Sequence, residues 1–319
     1  MDTEPSIAGA YRDFSTNTPL IHEPVWGEID GRSEALGFLI RTLTQYDLVA
    51  TFFVETVHVA YFTAAPMGRY VEALTSASQD VQLHLHPTWC NFLQSDAPLR
   101  EDVNDNCHEL DVDVLTRLIR EGADQIAQWT GRRPTGIRTG NFSVDRKMFG
   151  AIRHADLRYS SNICNAMPFT NDPLLRVSGG VREFDGVVEF PVTCFADHGP
   201  VGRGRLRPLQ VTACSFHEIK STLEQLHAKN GEVAIIVTHP FEYLKKDDYR
   251  YSNLRPNRLV QRRFEKLCAY LAENDDRYDT VALAGAAEQC ARNHEEPVLA
   301  GNSRAAILRA AQNFINDRL

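Results

Sequence analysis

Strand-like and helix-like runs of hydrophobic residues alternate along most of the chain, the pattern of βα units that feed a parallel sheet. Residues 48–55, Leu-Val-Ala-Thr-Phe-Phe-Val-Glu, are almost wholly apolar or β-branched, as a strand covered on both faces should be. Ahead of them Leu36, Leu39, Ile40 and Leu43 recur at helical spacing behind Ser33, a residue suited to capping a helix. Residues 80–86 alternate at period two and predict another strand. Leu115, Leu118, Ile119, Ile126 and Trp129 form the stripe of a long helix that stops before Gly131 and Pro134. Further strands are predicted at 136–139, 157–160, 187–192, 232–238 and 280–283. Further helices are predicted from Ser143, over 217–229, over 258–274 and over 304–314, the last within a C-terminal helix of about 302–317. About seven strands, alternating helices and no Pro/Gly/Ser-rich linker predict one α/β domain of barrel-like form spanning residues 1–319. The stretch between Glu4 and Gly31 has little periodicity. Long irregular segments in compact domains are often functional, and Tyr11 and Trp26 make it a candidate wall of an active site; a surface loop is the plainer reading.

Composition narrows the function. With 43% hydrophobic and 24% charged residues, the 319-residue chain is of ordinary globular make-up, which excludes disorder throughout. The net charge of −8 argues against nucleic acid or an anionic membrane as the main partner. No apolar run approaches the ~18–20 residues of a membrane span, and residues 1–12 lack a basic-then-apolar leader, so a cytoplasmic location is expected. The seven cysteines form no CxxC pair, which disfavours a zinc ribbon or redox couple and predicts reduced, mostly buried thiols.

Five clusters place polar groups where strands end. Asp2 and Glu4, at i and i+2, share a face if extended, and so could approach one metal. His84 and His86 do the same on a strand that Pro87 stops; neutral imidazoles so placed suit zinc or a similar divalent ion. Arg138 precedes Thr139, Gly140, Asn141 and Phe142: a guanidinium able to fix a carboxylate, then a glycine that lets backbone N–H groups approach a ligand. Glu189 lies inside a predicted strand, where ordinary sheet is the plainer reading. His239 follows three apolar residues and Thr238 at a strand end, where catalysis sits in barrels and open sheets.

Taken in this order, the clusters resemble the polysaccharide deacetylase (NodB homology) family, carbohydrate esterase family 4, as a divergent member. Asp2 and Glu4 match a spaced form of its acidic motif, and Ala50-Thr-Phe-Phe-Val54 is similar to its A-T-F-F-V strand. Residues 79–87 resemble its histidine motif, Arg138-Thr-Gly-Asn-Phe142 its arginine motif, and Val237-Thr238-His239 its Leu-x-His motif. The resemblance spans roughly residues 2–285. It departs in spacing the histidines two apart rather than four and in lacking a proline after Arg138, and the Asp/Trp element has no clear counterpart.

The resemblance implies a distorted (β/α)7 barrel and a metal-dependent hydrolase that removes an acyl group, usually N-acetyl, from a carbohydrate or related amide. Asp2 would be the base, Arg138 its orienting partner and His239 the acid. Glu4, His84 and His86 would hold one divalent metal, zinc ahead of iron, cobalt or manganese. Backbone N–H groups near Gly140 and Asn141 would face the oxyanion. Trp89, Phe142, Phe241 and Tyr243 would stack on sugar faces or else belong to the core. Two further readings stay open: an amidohydrolase acting on a non-sugar amide, and a metal-free barrel that binds carbohydrate or a protein partner. Because no apolar run precedes Asp2, the expectation is either a truncated start or a missing first strand with an open sheet edge, and an open edge would favour homo-oligomers.

Overall fold

The computed structural model describes residues 1–92, 103–198, 204–293, 299–316 and 318. Its centre is a seven-stranded sheet in the order β1 (Asp2–Thr3), β2 (Thr51–Glu55), β3 (Asp80–Leu85), β4 (Gly136–Thr139), β5 (Tyr159–Ser160), β7 (Val187–Glu189), β6 (Arg182–Phe184). Neighbours run parallel except β6 against β7. The helices between them are α1 (Leu36–Gln45), α2 (Ala65–Ser76), α3 (Val112–Thr130) and α4 (Arg146–His154). Beyond the sheet lie α5 (Phe216–Ala228), α6 (Arg258–Ala272), α7 (Leu283–Gln289) and α8 (Ser303–Asn316).

Local chemistry accounts for most boundaries. Ser33 Oγ accepts the Gly37 N–H at 2.8 Å at the entry to α1. α5 begins with a capping box in which Ser215 and Glu218 satisfy each other's backbone N–H. α4 starts at Arg146 rather than Ser143, because Asp145 caps it through the Met148 N–H at 3.2 Å while Ser143 Oγ bonds His108 Nδ1 at 2.7 Å. α2, which the sequence reading did not anticipate, buries Met67, Tyr70, Val71 and Leu74, a helical i, i+3, i+4, i+7 set. C-terminal helix α8 ends at Asn316; residue 317 lies outside the described residues.

Two expected strands are corrected. Residues 280–283 form none: Thr280 Oγ1 accepts the Val49 N–H at 3.2 Å, and the chain enters α7 at Leu283, where Ala-Gly-Ala-Ala-Glu-Gln favours helix. Residues 232–238 run past the sheet without a continuous ladder, held by single backbone bonds. Thr193 N–H donates to Ile235 O at 3.3 Å and Val237 N–H to Leu209 O at 2.9 Å.

Those single bonds close the ring. Phe190 N–H donates to Ser160 O beyond β7, the 235–237 segment follows by way of Thr193 and Leu209, and Asp2 N–H donates to Thr238 O at 3.1 Å. The sheet thus curls into a distorted α/β barrel whose last seam, from 238 to β1, is one hydrogen bond wide. The acidic pair's own stretch supplies the edge strand, β1, with Asp2 opposite Phe53 and Thr3 opposite Val54. The main core runs from Val25 through Leu36, Phe52, Leu83, Ile119 and Phe149 to Phe264. All seven cysteines are free thiols and five are buried. Among the described residues, no helix is long and apolar enough to cross a membrane.

Candidate metal and acid–base site

The C-terminal ends of β1 to β4 lie side by side, so the residues that end them share one rim of the barrel. Across this rim His84 is in register with Glu55 on one side and Arg138 on the other. Asp2 and Glu4, two apart on an extended stretch, point the same way. Asp2 turns to Arg138 and Glu4 to the histidines.

Asp2 Oδ1 accepts from Arg138 Nη1 at 2.8 Å, and both residues are 2% exposed. The guanidinium is anchored at each of its nitrogens: Nε also donates to Ser161 O at 3.0 Å and Nη2 to Ser161 Oγ at 2.7 Å. Its carbon also lies 4.4 Å from the centre of the Phe53 ring and 5.7 Å from that of Phe142. Burial would push the Asp2 carboxyl up; the charges of Arg138, His84, the amino terminus and His239 outweigh it and hold the group below its ordinary 3.8. On its other oxygen, Asp2 Oδ2 faces His239 Nε2 at 3.6 Å. A carboxylate and an imidazole are therefore adjacent.

Glu4 Oε2 lies 2.5 Å from His86 Nε2 and 3.5 Å from His84 Nε2. One ligand atom from each of these three residues falls within 4.8 Å of the others. The second nitrogen of each imidazole is committed elsewhere. His84 Nδ1 lies 2.7 Å from Arg138 O, which can only accept, so Nδ1 donates there and Nε2 faces Glu4. His86 Nδ1 lies 2.8 Å from Asp105 Oδ2. Imidazoles backed by a carbonyl or carboxylate in this way are the usual form of metal-binding histidine, so the donor set fits a divalent ion. Burial would lower the His86 pKa, but Glu4 and Asp105 raise it well above 6.5. The same pairing takes Glu4 well below 4.5 against its burial.

Two members of the site had no role in the sequence reading. Asp105 sits in an irregular stretch with no periodic signal, yet it also accepts the Thr88 N–H at 3.2 Å and Asn141 Nδ2 at 2.9 Å. Glu242 lies three residues after His239 in a capping box; its Oε1 is 3.1 Å from His239 Nδ1 and its Oε2 accepts the His239 N–H at 3.2 Å. A histidine followed by proline and then a carboxylate at i+3 was the signal available for it. Burial would lower the His239 pKa; the bond and charge of Glu242, then Asp2 and Glu4, raise it above 6.5.

The remaining expected site residues divide. Asn141 holds Asp105 from a left-handed backbone position, φ 57°, which asparagine tolerates. Gly140 is buried against the His86 ring, where a methyl group would overlap it. Phe142 covers Arg138. Trp89 is corrected from substrate contact to core: it is 2% exposed and packs on Phe62 and Phe92. Tyr243 is fully buried, whereas Phe241 stacks on His239 with ring centres 4.9 Å apart. Glu189 is structural, accepting the Asn162 and Ile163 N–H groups at 2.7 Å each. Of the irregular segment, Tyr11 braces the loop after β3 through Thr88 Oγ1 at 2.5 Å, while Trp26 stacks on Tyr70.

Solved structures similar to this chain share one theme. They are polysaccharide deacetylases and carbohydrate esterases of family 4. A protein named a polysaccharide deacetylase from Mycobacterium smegmatis is 17% identical, with 83% of this chain and 81% of that chain covered and a TM-score of 0.48. The peptidoglycan deacetylase of Bacillus subtilis is 14% identical over 80% of this chain and 83% of its own, with a TM-score of 0.39. A family 4 pseudoenzyme from Bacillus anthracis is 10% identical over 84% of this chain, with a TM-score of 0.43; the chain spans 64% of that protein. No protein-family model and no curated protein matches the chain. At these values the likeness decides nothing about chemistry, which the side chains must carry.

Proposed function

We propose that the protein is a metal-dependent hydrolase that removes an acyl group, N-acetyl above all, from a carbohydrate or related amide. The observation that carries this reading is the pairing of Asp2 with both Arg138 and His239, directly beside the cluster of Glu4, His84 and His86.

An amide resists hydrolysis because water is a weak nucleophile and an amine anion a poor leaving group. Glu4, His84 and His86 would hold a divalent ion, zinc being the first expectation, which would supply a lowered water pKa and polarisation of the acyl group. Asp2 is ionised at neutral pH and takes the proton of the attacking water; Arg138 fixes the carboxylate so that one oxygen stays free for it. Oxygen bonds to the acyl carbon, the C–N bond breaks with its electron pair going to nitrogen, and that nitrogen takes the proton held on His239. Glu242 keeps His239 protonated and aimed. The products are a carboxylate and a free amine. His86, His239 and Glu4 retain 13–18% side-chain exposure while Asp2 and Arg138 retain 3%, so the substrate enters from the histidine side.

The test is hydrolysis of an N-acetylglucosamine oligomer, followed as acetate released, by protein loaded with one equivalent of zinc. Release is expected from the native chain and not from Asp2→Asn. Equal release from both would discard the assignment of the base. Metal binding without release from sugar or non-sugar acetamides would favour a binding role.

A further inference from the structure

Half of the exposed large hydrophobic side chains lie on one helix. Of eight such residues among the described ones, Ile307, Leu308, Phe314 and Ile315 belong to α8, at 39–58% exposure. Ile307, Phe314 and Ile315 recur at i, i+7 and i+8, so they share a face, with the exposed Ala311 between them. Exposed apolar residues scattered singly are ordinary; a contiguous set marks a contact surface.

The polarity of this helix is inside out. Its buried side carries Ala305, Ala306 and Arg309. Arg309 Nη1 donates to Glu218 Oε1 at 2.5 Å and Nη2 to Asp197 Oδ2 at 3.0 Å. Arg263, buried on α6, donates to Gln312 Oε1 at 3.1 Å and to Asn313 Oδ1 at 2.8 Å. Polar bonds thus fasten α8 to the barrel while its large apolar residues turn outward. Lys245 Nζ donates to Asn316 O, which ties the last turn to the loop that begins at His239.

Charge decides what meets this face. Arg304 lies one turn before Ile307, and the Arg318 guanidinium carbon lies 3.7 Å from the centre of the Phe314 ring, so a cation stands at each end. The clefts flanking α8 add Lys220 beside Leu308, and Arg262 and Lys266 beside Gln312. Against these five, the clefts hold one acid, Glu224, which is 3.8 Å from Lys220. The sequence from 303 to 319 has one more, Asp317. A two-fold contact with a second copy would set this basic patch against itself. The net charge of −8 disfavours a negative surface for the molecule at large and so singles out this side. Outward apolar side chains ringed by basic ones are the pattern of helices that lie among the headgroups of an anionic bilayer.

We propose that α8 docks the protein on an anionic lipid surface, with Ile307, Phe314 and Ile315 in the outer edge of the bilayer and the five basic residues at its headgroups. The helix lies on the membrane and does not cross it. This inference is independent of the function proposed above.

The test is co-sedimentation of the full chain with vesicles of phosphatidylcholine alone or with about 30% phosphatidylglycerol, at about 0.1 M and about 0.5 M salt. The native chain is expected to bind the anionic vesicles at least about tenfold more tightly than the neutral ones, and to lose most of that preference at high salt. A basic residue near such a surface strengthens binding about fivefold, so Arg304→Gln with Arg318→Gln should weaken it about 25-fold. Ile307→Ser with Phe314→Ser should weaken it at least about tenfold. All four side chains are exposed, so both double variants should keep the native Tm. Equal binding to the two kinds of vesicle, no binding to either, or binding that neither double variant alters would overturn the proposal. So would a dimer that Ile307→Ser with Phe314→Ser dissolves while the vesicles stay bare, since a second copy would then cover the helix.

Discussion

His86 Nδ1 lies 2.8 Å from Asp105 Oδ2, on the far side of the imidazole from Glu4. With its Nδ1 proton held by this carboxylate, His86 would turn Nε2 to the ion of the proposed function, and Asp105 is itself held by Thr88 and Asn141. Loss of such a partner typically weakens metal binding about 10–100-fold. Asp105→Asn should do so with little change in Tm, as measured by competition against a chromophoric chelator. Undiminished affinity would show that Asp105 has no part in holding the ligand.

Gly140 is needed for space rather than for its backbone angles. A methyl group there would overlap the His86 ring, a fixed imidazole and not the end of a flexible chain. Gly140→Ala should therefore displace His86, weakening metal binding by at least tenfold and costing about 1–3 kcal/mol from overpacking. Chelator competition and urea unfolding read the two effects separately. A variant that binds and unfolds like the native chain would mean that the ring moves freely.

The pairing of Asp2 with Arg138 is buried and hydrogen-bonded throughout, so breaking it from either side strands a charge. Arg138→Met should cost about 3–5 kcal/mol, and Asp2→Leu combined with Arg138→Met should recover much of that loss. Urea denaturation of the two variants gives the comparison. A double variant no more stable than Arg138→Met would count against stranded charge as the cause.

Much of the site was legible because it depends on strand periodicity. Asp2 with Glu4 and His84 with His86 share faces by i, i+2 spacing, and the strands that carry Asp2 and His84 are both in the one sheet. What stayed hidden depends on contacts between distant segments. Asp105 reaches His86 across nineteen positions of irregular chain, which no local pattern encodes. Trp89 reads as a ring next to the histidines, but the strand turns beyond Pro87 and carries it into the aromatic cluster with Phe62 and Phe92. Residues 232–238 have a strand's composition but meet Thr193, Leu209, Val211 and Asp2 through single backbone bonds, and which segments lie alongside is a matter of tertiary contacts that no local pattern encodes.

His239 provides a pH signature. Burial alone would lower its pKa, but Glu242 at 3.1 Å and then Asp2 raise it above 6.5. A group whose folded value is raised stabilises the protein most below its unfolded value, near 6.5, and that contribution is lost as pH rises through the folded value. The same proton is the one delivered to the leaving nitrogen, so the alkaline limb of kcat should coincide with the raised value. Glu242→Gln keeps a hydrogen-bonding group but removes the negative charge, which leaves burial dominant and the pKa lower. The alkaline limb should move to lower pH, and the pH-dependent part of the stability should shrink with it. Asp2 works in the opposite sense: its depressed value stabilises above about 3.8 and is lost only as pH falls further, so it adds no limb near neutrality. Rate profiles and urea unfolding of native and Glu242→Gln protein across pH 5–9 read both effects. An alkaline limb that stays in place in Glu242→Gln would mean that His239 is not the acid.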